Sequence, residues 1–105
     1  MEKVSFGKAI EALTDGKRVK RDFWHSQHFI FMQVPATIDK SIVPNMQSLP
    51  QPVKDEFERR FEQRTMPIDA IRYRSQFAYV SSNCIITSYS PSVGDSLAED
   101  WIVLD

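Results

Sequence analysis

The chain is 105 residues long, 42% hydrophobic and 26% charged, with a formal net charge of −1. That length suits one domain, 1–105, whose modest core would gain from oligomerisation. The near-neutral charge excludes a polybasic binder of nucleic acid or membrane surfaces, and the lack of any run of about 18 apolar residues excludes a membrane-spanning helix.

The start, Met1-Glu2-Lys3-Val4, carries no apolar signal region and reads as a cytosolic N-terminus. Ser5 is placed to cap a first helix. Phe6, Ile10 and Leu13 follow at helical spacing, so they are expected to share one apolar face. Ala9 and Ala12 keep that helix thin, and Gly16 supplies the left-handed position that ends it. Lys17, Arg18, Lys20 and Arg21 make a basic run.

Val19–Trp24 reads as a strand or extended segment. His28–Val34 reads as a strand with apolar residues on both faces, hence a central strand or a subunit contact, closed by Pro35. Residues 36–67 read as irregular, punctuated by Pro44, Pro50 and Pro52. Within them a helix is expected from Pro52, with Val53, Phe57 and Phe61 as its narrow stripe and Pro67 closing it. Ile68–Val80 is expected to contain one strand, Ser81-Ser82-Asn83 a turn, and Cys84–Tyr89 the returning strand of a hairpin. Cys84 is the only cysteine. It excludes an intrachain disulfide, suits a reducing compartment, and is expected to be a small buried hydrophobe. Ser92 can cap a short helix through Leu97 or Ala98, and Trp101–Leu104 reads as a last strand with Trp101 in the core. The order implies an α+β fold on a small antiparallel sheet, with an N-terminal helix and a helical insert.

No catalytic constellation is visible. His25 and His28 are the only histidines, too few for a zinc site without further matched ligands, and three scattered glycines form no phosphate loop. Asp95, Glu99 and Asp100 read as solvated or capping acids rather than an acid–base pair. A ligand-binding set is more credible. Arg21 offers a planar donor fork suited to phosphate, or is simply a surface strand residue. Trp24 offers a stacking plane for a purine, or is core. Ser92 and Asp95 can meet ribose hydroxyls or an adenine edge, or cap the helix. Tyr89, just before that turn, can supply a second aromatic wall.

Three blocks carry a family likeness: Phe6-Gly7-x-Ala9 with Gly16; Arg21-x-x-Trp24; and Ser92-x-x-Asp95-x-Leu97-Ala98-x-Asp100-Trp101. With them the chain resembles the Thoeris anti-defence 2 family, small phage and prophage proteins. Pro44–Pro50 with Val53-Lys54 looks like a longer subgroup of it. One departure is Tyr89, where relatives usually have Trp.

The resemblance implies a non-catalytic cytoplasmic sponge that needs no cofactor or metal. Its partners would be cyclic adenine-nucleotide signals and its own copies, with no DNA, RNA polymer or membrane. Members of the family form homotetramers. They hold glycocyclic ADP-ribose, made by TIR-domain enzymes, in pockets between subunits, and some bind CBASS cyclic oligonucleotides at separate sites. Two alternatives remain open from the residues themselves: an interaction module without a nucleotide ligand, and a small hydrolase of such nucleotides.

Overall fold

A computed structural model describes residues 2–105. In chain order the elements are α1 (Phe6–Thr14), β1 (Val19–Arg21), β2 (Phe29–Met32), β3 (Ala36–Asp39), a 3-10 turn (Val43–Asn45), α2 (Gln51–Phe61), β4 (Ala70–Tyr73), β5 (Phe77–Val80), β6 (Ile86–Ser88), α3 (Val93–Leu97) and β7 (Trp101–Val103). Every strand pairing is antiparallel, so the fold is α+β as expected. Contacts cluster into two units. One comprises the segment up to Val34 together with Ser75–Asp105; the other is Pro35–Arg74. Among the described residues no helix is long and apolar enough to cross a membrane.

The first unit is a five-stranded sheet in the order β6-β5-β2-β1-β7, with α1 packed on β7, β1 and β2. The capping expectations for α1 hold. Ser5 Oγ accepts from the Lys8 N–H at 3.3 Å. At the far end Gly16 has φ +86°, which brings its own N–H to the Leu13 carbonyl and that of Lys17 to the Ala12 carbonyl. These two bonds satisfy carbonyls that the helix end would otherwise leave open. The buried face is Ala9, Ala12 and Leu13 with Phe6 half-buried, whereas Ile10 is 37% exposed. The expected Phe6–Ile10–Leu13 face is therefore rotated. The helix rests on its two alanines, because their small side chains allow the closest approach to the sheet.

Strand alternation sorts the sheet into two faces. Val19 pairs with Ile30 and with Val103, Ile30 with Tyr79, Met32 with Phe77, and Arg21 with Trp101. These residues share the face under α1, where Val19, Ile30 and Trp101 are fully buried. The opposite face carries Phe29 and Phe31, with ring centroids 6.5 Å apart and the Arg18 guanidinium 5.0 Å from the Phe29 ring. β2 is thus the central strand, as its two-sided apolar character predicts. β1 stops at Arg21, short of the expected Trp24, because the Trp24 N–H turns back to the Arg21 carbonyl at 3.1 Å.

The β5–β6 hairpin is present, but its return strand is only Ile86–Ser88 and Cys84 lies in the turn, exposed and with φ 62°. The expectation of a buried Cys84 is wrong. The Cys84 N–H donates to the Ser81 carbonyl at 3.0 Å. The Ser81 N–H donates in turn to the Ile85 carbonyl at 3.1 Å, and the one positive φ of this turn falls on Cys84 instead of Asn83. We expect the native protein to give one thiol equivalent with an aromatic disulfide reagent as fast as the urea-unfolded chain does. Labelling that needs denaturant would show Cys84 to be covered.

In the second unit β3 pairs with β4 over Ala36–Tyr73, Thr37–Arg72, Ile38–Ile71 and Asp39–Ala70. Residues 36–67 are therefore not all irregular outside the helix, and Ile68–Val80 holds two strands in two sheets rather than one. The break falls at Arg74–Gln76, a polar interruption that reads equally well as the exposed side of a single strand. α2 begins at a proline pair, with Pro50 as its cap and Pro52 in the first turn. It ends at Phe61, well before Pro67. Its outer side is tied by Glu56, which accepts from both Arg59 and Arg60.

Candidate functional site

The five residues singled out above come together in the first unit, and Arg21 is the reason. β1 and β7 run antiparallel, so the basic run of one meets the acids of the other. Arg18 pairs with Asp105, Nε to Oδ1 at 3.1 Å. Arg21 opposite Trp101 reaches the acidic turn: its Nε and Nη2 donate to the two oxygens of Asp100, the latter at 3.2 Å, and its Nη1 donates to Asp95 Oδ1 at 2.7 Å. The guanidinium lies 4.8 Å from the Phe23 ring centroid and 5.9 Å from that of Trp101. Its side chain is 16% exposed.

Asp95 is the node. Its Oδ1 takes Arg21, while its Oδ2 accepts from the Tyr89 hydroxyl at 2.6 Å and from the Ser92 N–H at 3.4 Å. Its N–H donates to Ser92 Oγ at 3.0 Å, completing a reciprocal capping box at the start of α3. Its carbonyl accepts from Trp101 Nε1 at 2.9 Å. Burial opposes ionisation of Asp95, but the hydrogen bonds from Tyr89, Arg21 and Ser92 outweigh it and hold the carboxyl below its ordinary range. The bond from Arg21 does the same for Asp100. Arg21 is raised in turn, chiefly by Asp100.

Above this network lies an aromatic cluster. Trp24 meets three rings edge-on: Tyr79 at 5.3 Å, Trp101 at 5.4 Å and Tyr89 at 5.9 Å. Tyr79 and Tyr89 lie nearly parallel at 6.2 Å, and the Tyr79 hydroxyl is 2.6 Å from His28 Nδ1. Edge-on and offset contacts are the arrangements that ring quadrupoles favour. Trp24, Tyr79 and Tyr89 are only partly buried.

Of the sequence-derived roles, the capping role of Ser92 and Asp95 is realised in full, and Trp101 is core. The Arg21 fork is already filled by two carboxylates in this state. Asp100 and Tyr79 belong to the cluster and were not anticipated as site residues. Asp100 is recognisable only once β1 is known to pair with β7, and Tyr79 only once β5 is known to neighbour β2. The Tyr89 hydroxyl is committed to Asp95. Among the described residues no group of three His, Cys, Asp or Glu side chains converges as metal ligands would.

The Tyr89 phenol is pushed up from its ordinary value, first by burial and then by its bond to Asp95. A raised phenol favours folding below the unfolded value of about 10, and that contribution is lost as pH rises through the folded value. Tyr89→Phe is therefore expected to flatten the alkaline limb of the stability–pH curve above about pH 10. A curve parallel to that of the parent would show the phenol to be solvated.

No functionally curated protein matches the chain. The profile of the Thoeris anti-defense 2-like domain matches residues 4–104 and so runs through both units. The Arg21–Asp95–Asp100 network and the aromatic cluster lie within the matched range, and the chain belongs to the Thoeris anti-defense 2-like family.

Proposed function

We propose that the protein is a non-catalytic sponge that captures a cyclic adenine-nucleotide signal of bacterial anti-phage immunity and withholds it from its effector. Membership of the anti-defense family over residues 4–104 carries this reading. Glycocyclic ADP-ribose from TIR-domain enzymes is the primary ligand, and CBASS cyclic oligonucleotides are a second class. The site supports capture rather than turnover: partly exposed aromatic rings suit a purine face, and the acids present are engaged with Arg21 and Tyr89. Trp24, Tyr89 and Tyr79 are the stacking surface in this reading. Ser92 and the α3 turn offer polar contacts, and Arg21 holds that turn in place. The protein acts in the cytoplasm of the infected bacterium.

The test is a capture-and-release experiment. The protein is incubated with glycocyclic ADP-ribose or a cyclic oligonucleotide, freed of unbound ligand, heat-denatured, and the released compound identified. Intact ligand supports the sponge. A cleaved product would make the protein a hydrolase, and no release would leave an interaction module.

Assembly belongs to the same proposal. Phe23, Val93 and Leu97 are 71%, 77% and 77% exposed, and the last two are one turn apart on α3. Such large apolar groups favour burial against another copy. A homotetramer arranged as a dimer of dimers is expected, with a light-scattering mass four times the 12.2 kDa of the chain. A monomer mass at micromolar concentration would rule it out.

A further inference from the structure

The Pro35–Arg74 unit holds a cavity of about 370 Å³ that takes no residue from the Arg21 cluster. Its size lies at the small end of the range for small-molecule pockets. Val43, Pro44 and Phe61 supply its apolar lining, and Val43 is only 2% exposed. Gln51 and four charged side chains, Lys40, Lys54, Glu58 and Glu62, line the rest. On α2, Lys54, Glu58 and Phe61 recur at helical spacing, with Glu62 as the C-cap that follows, so one face of the helix turns toward the cavity.

None of these four charges takes part in an ion pair among the described residues, whereas Glu56 on the same helix takes two arginines. Lys54 is positioned instead by a backbone acceptor, its Nζ donating to the Pro44 carbonyl at 3.0 Å. An ammonium has three donors, so two remain for a ligand. The lining is neutral as a set, with two cations and two anions. A phosphate-bearing anion would gain from the lysines but meet both carboxylates, and a simple cation would meet the converse. A ligand carrying both signs answers both.

We propose that this cavity binds a small zwitterion with an apolar body, in chemical class an α-amino acid with an aromatic or large aliphatic side chain. Its carboxylate faces Lys40 and Lys54, its ammonium faces Glu58 and Glu62, and its side chain lies on Phe61. The proposal is independent of nucleotide capture.

The test is a heteronuclear NMR titration of the full ¹⁵N-labelled chain with L-phenylalanine. Parallel titrations use phenethylamine, which lacks the carboxylate, 3-phenylpropionate, which lacks the ammonium, and adenosine monophosphate. The expected result is saturable shifts concentrated in residues 40–62 with L-phenylalanine, at a Kd in roughly the millimolar range for a ligand of this size. Each single-charge analogue should bind about fivefold or more weakly. Glu58→Gln should weaken L-phenylalanine and leave 3-phenylpropionate binding as well as before or more tightly, since one opposing carboxylate is gone, and its own spectrum reports whether it is folded. No saturable shift, shifts centred outside 40–62, equal binding of the three phenyl compounds, or preferential binding of the nucleotide would each overturn the proposal.

Discussion

Arg21→Met is expected to destabilise the fold by about 2–3 kcal/mol, read as a lower urea midpoint at fixed protein concentration. Breaking a fully buried ion pair costs about 3–5 kcal/mol and an exposed one about 0–1. Here the side chains of Arg21, Asp95 and Asp100 are 16%, 19% and 31% exposed, between the two regimes. The loss has a specific form. It leaves two adjacent carboxylates without their shared cation, and it frees the α3 turn that Asp95 organises. Arg21→Lys should recover only part of the loss, because a single ammonium cannot serve both acids in the fork geometry. The effect also has a pH signature. The folded pKa values of Asp95 and Asp100 are depressed, so their stabilisation is fully present above their unfolded value of about 3.9 and is lost as pH falls through the folded values. The gap between parent and Arg21→Met should therefore close on acidification below about pH 4. An unchanged midpoint at neutral pH would show that the network is worth no more than a surface pair.

Trp24→Ala is expected to act on two quantities at once. Trp24 touches three other rings, so truncation opens the cluster; a buried Trp→Ala change costs about 3–5 kcal/mol, and partial burial places this one at the lower end. If Trp24 also stacks on the captured nucleotide, roughly 1–3 kcal/mol of stacking is lost, about ten- to a hundredfold in affinity. Trp24→Phe separates the two. It keeps a ring in the cluster, so it should be far less destabilised while still showing weakened binding through its smaller face. Calorimetry with glycocyclic ADP-ribose on folded, assembled variants is the measurement. Parent-like affinity in both would make Trp24 a packing residue and place the nucleotide elsewhere.

Much of this was legible in the residues because it is local. Ser5, Gly16 and Ser92 mark helix ends through bonds that close within a few residues, Pro52 marks one through its missing N–H and fixed φ, and each does so where expected. β2 declared itself central through apolar residues on both faces, and the Phe6, Arg21–Trp24 and Ser92–Trp101 blocks pointed to the family that the match over residues 4–104 shows. Other features depended on partners far along the chain. β3 is a weak strand whose existence rests on β4, more than thirty residues away, and the split of 68–80 rests on two different neighbours. Cys84 has the composition of a core residue, but turn geometry put it at the surface. The basic run and the acidic C-terminus looked like two separate features of the chain. Antiparallel pairing of β1 with β7 made them one, and so turned Arg21 from a free donor fork into the clamp that holds the acidic turn. Short-range hydrogen bonding and backbone preference can be read from neighbouring residues. Which charge neutralises which, and which ring meets which, depends on strand order, and strand order is set by the packing of the whole sheet.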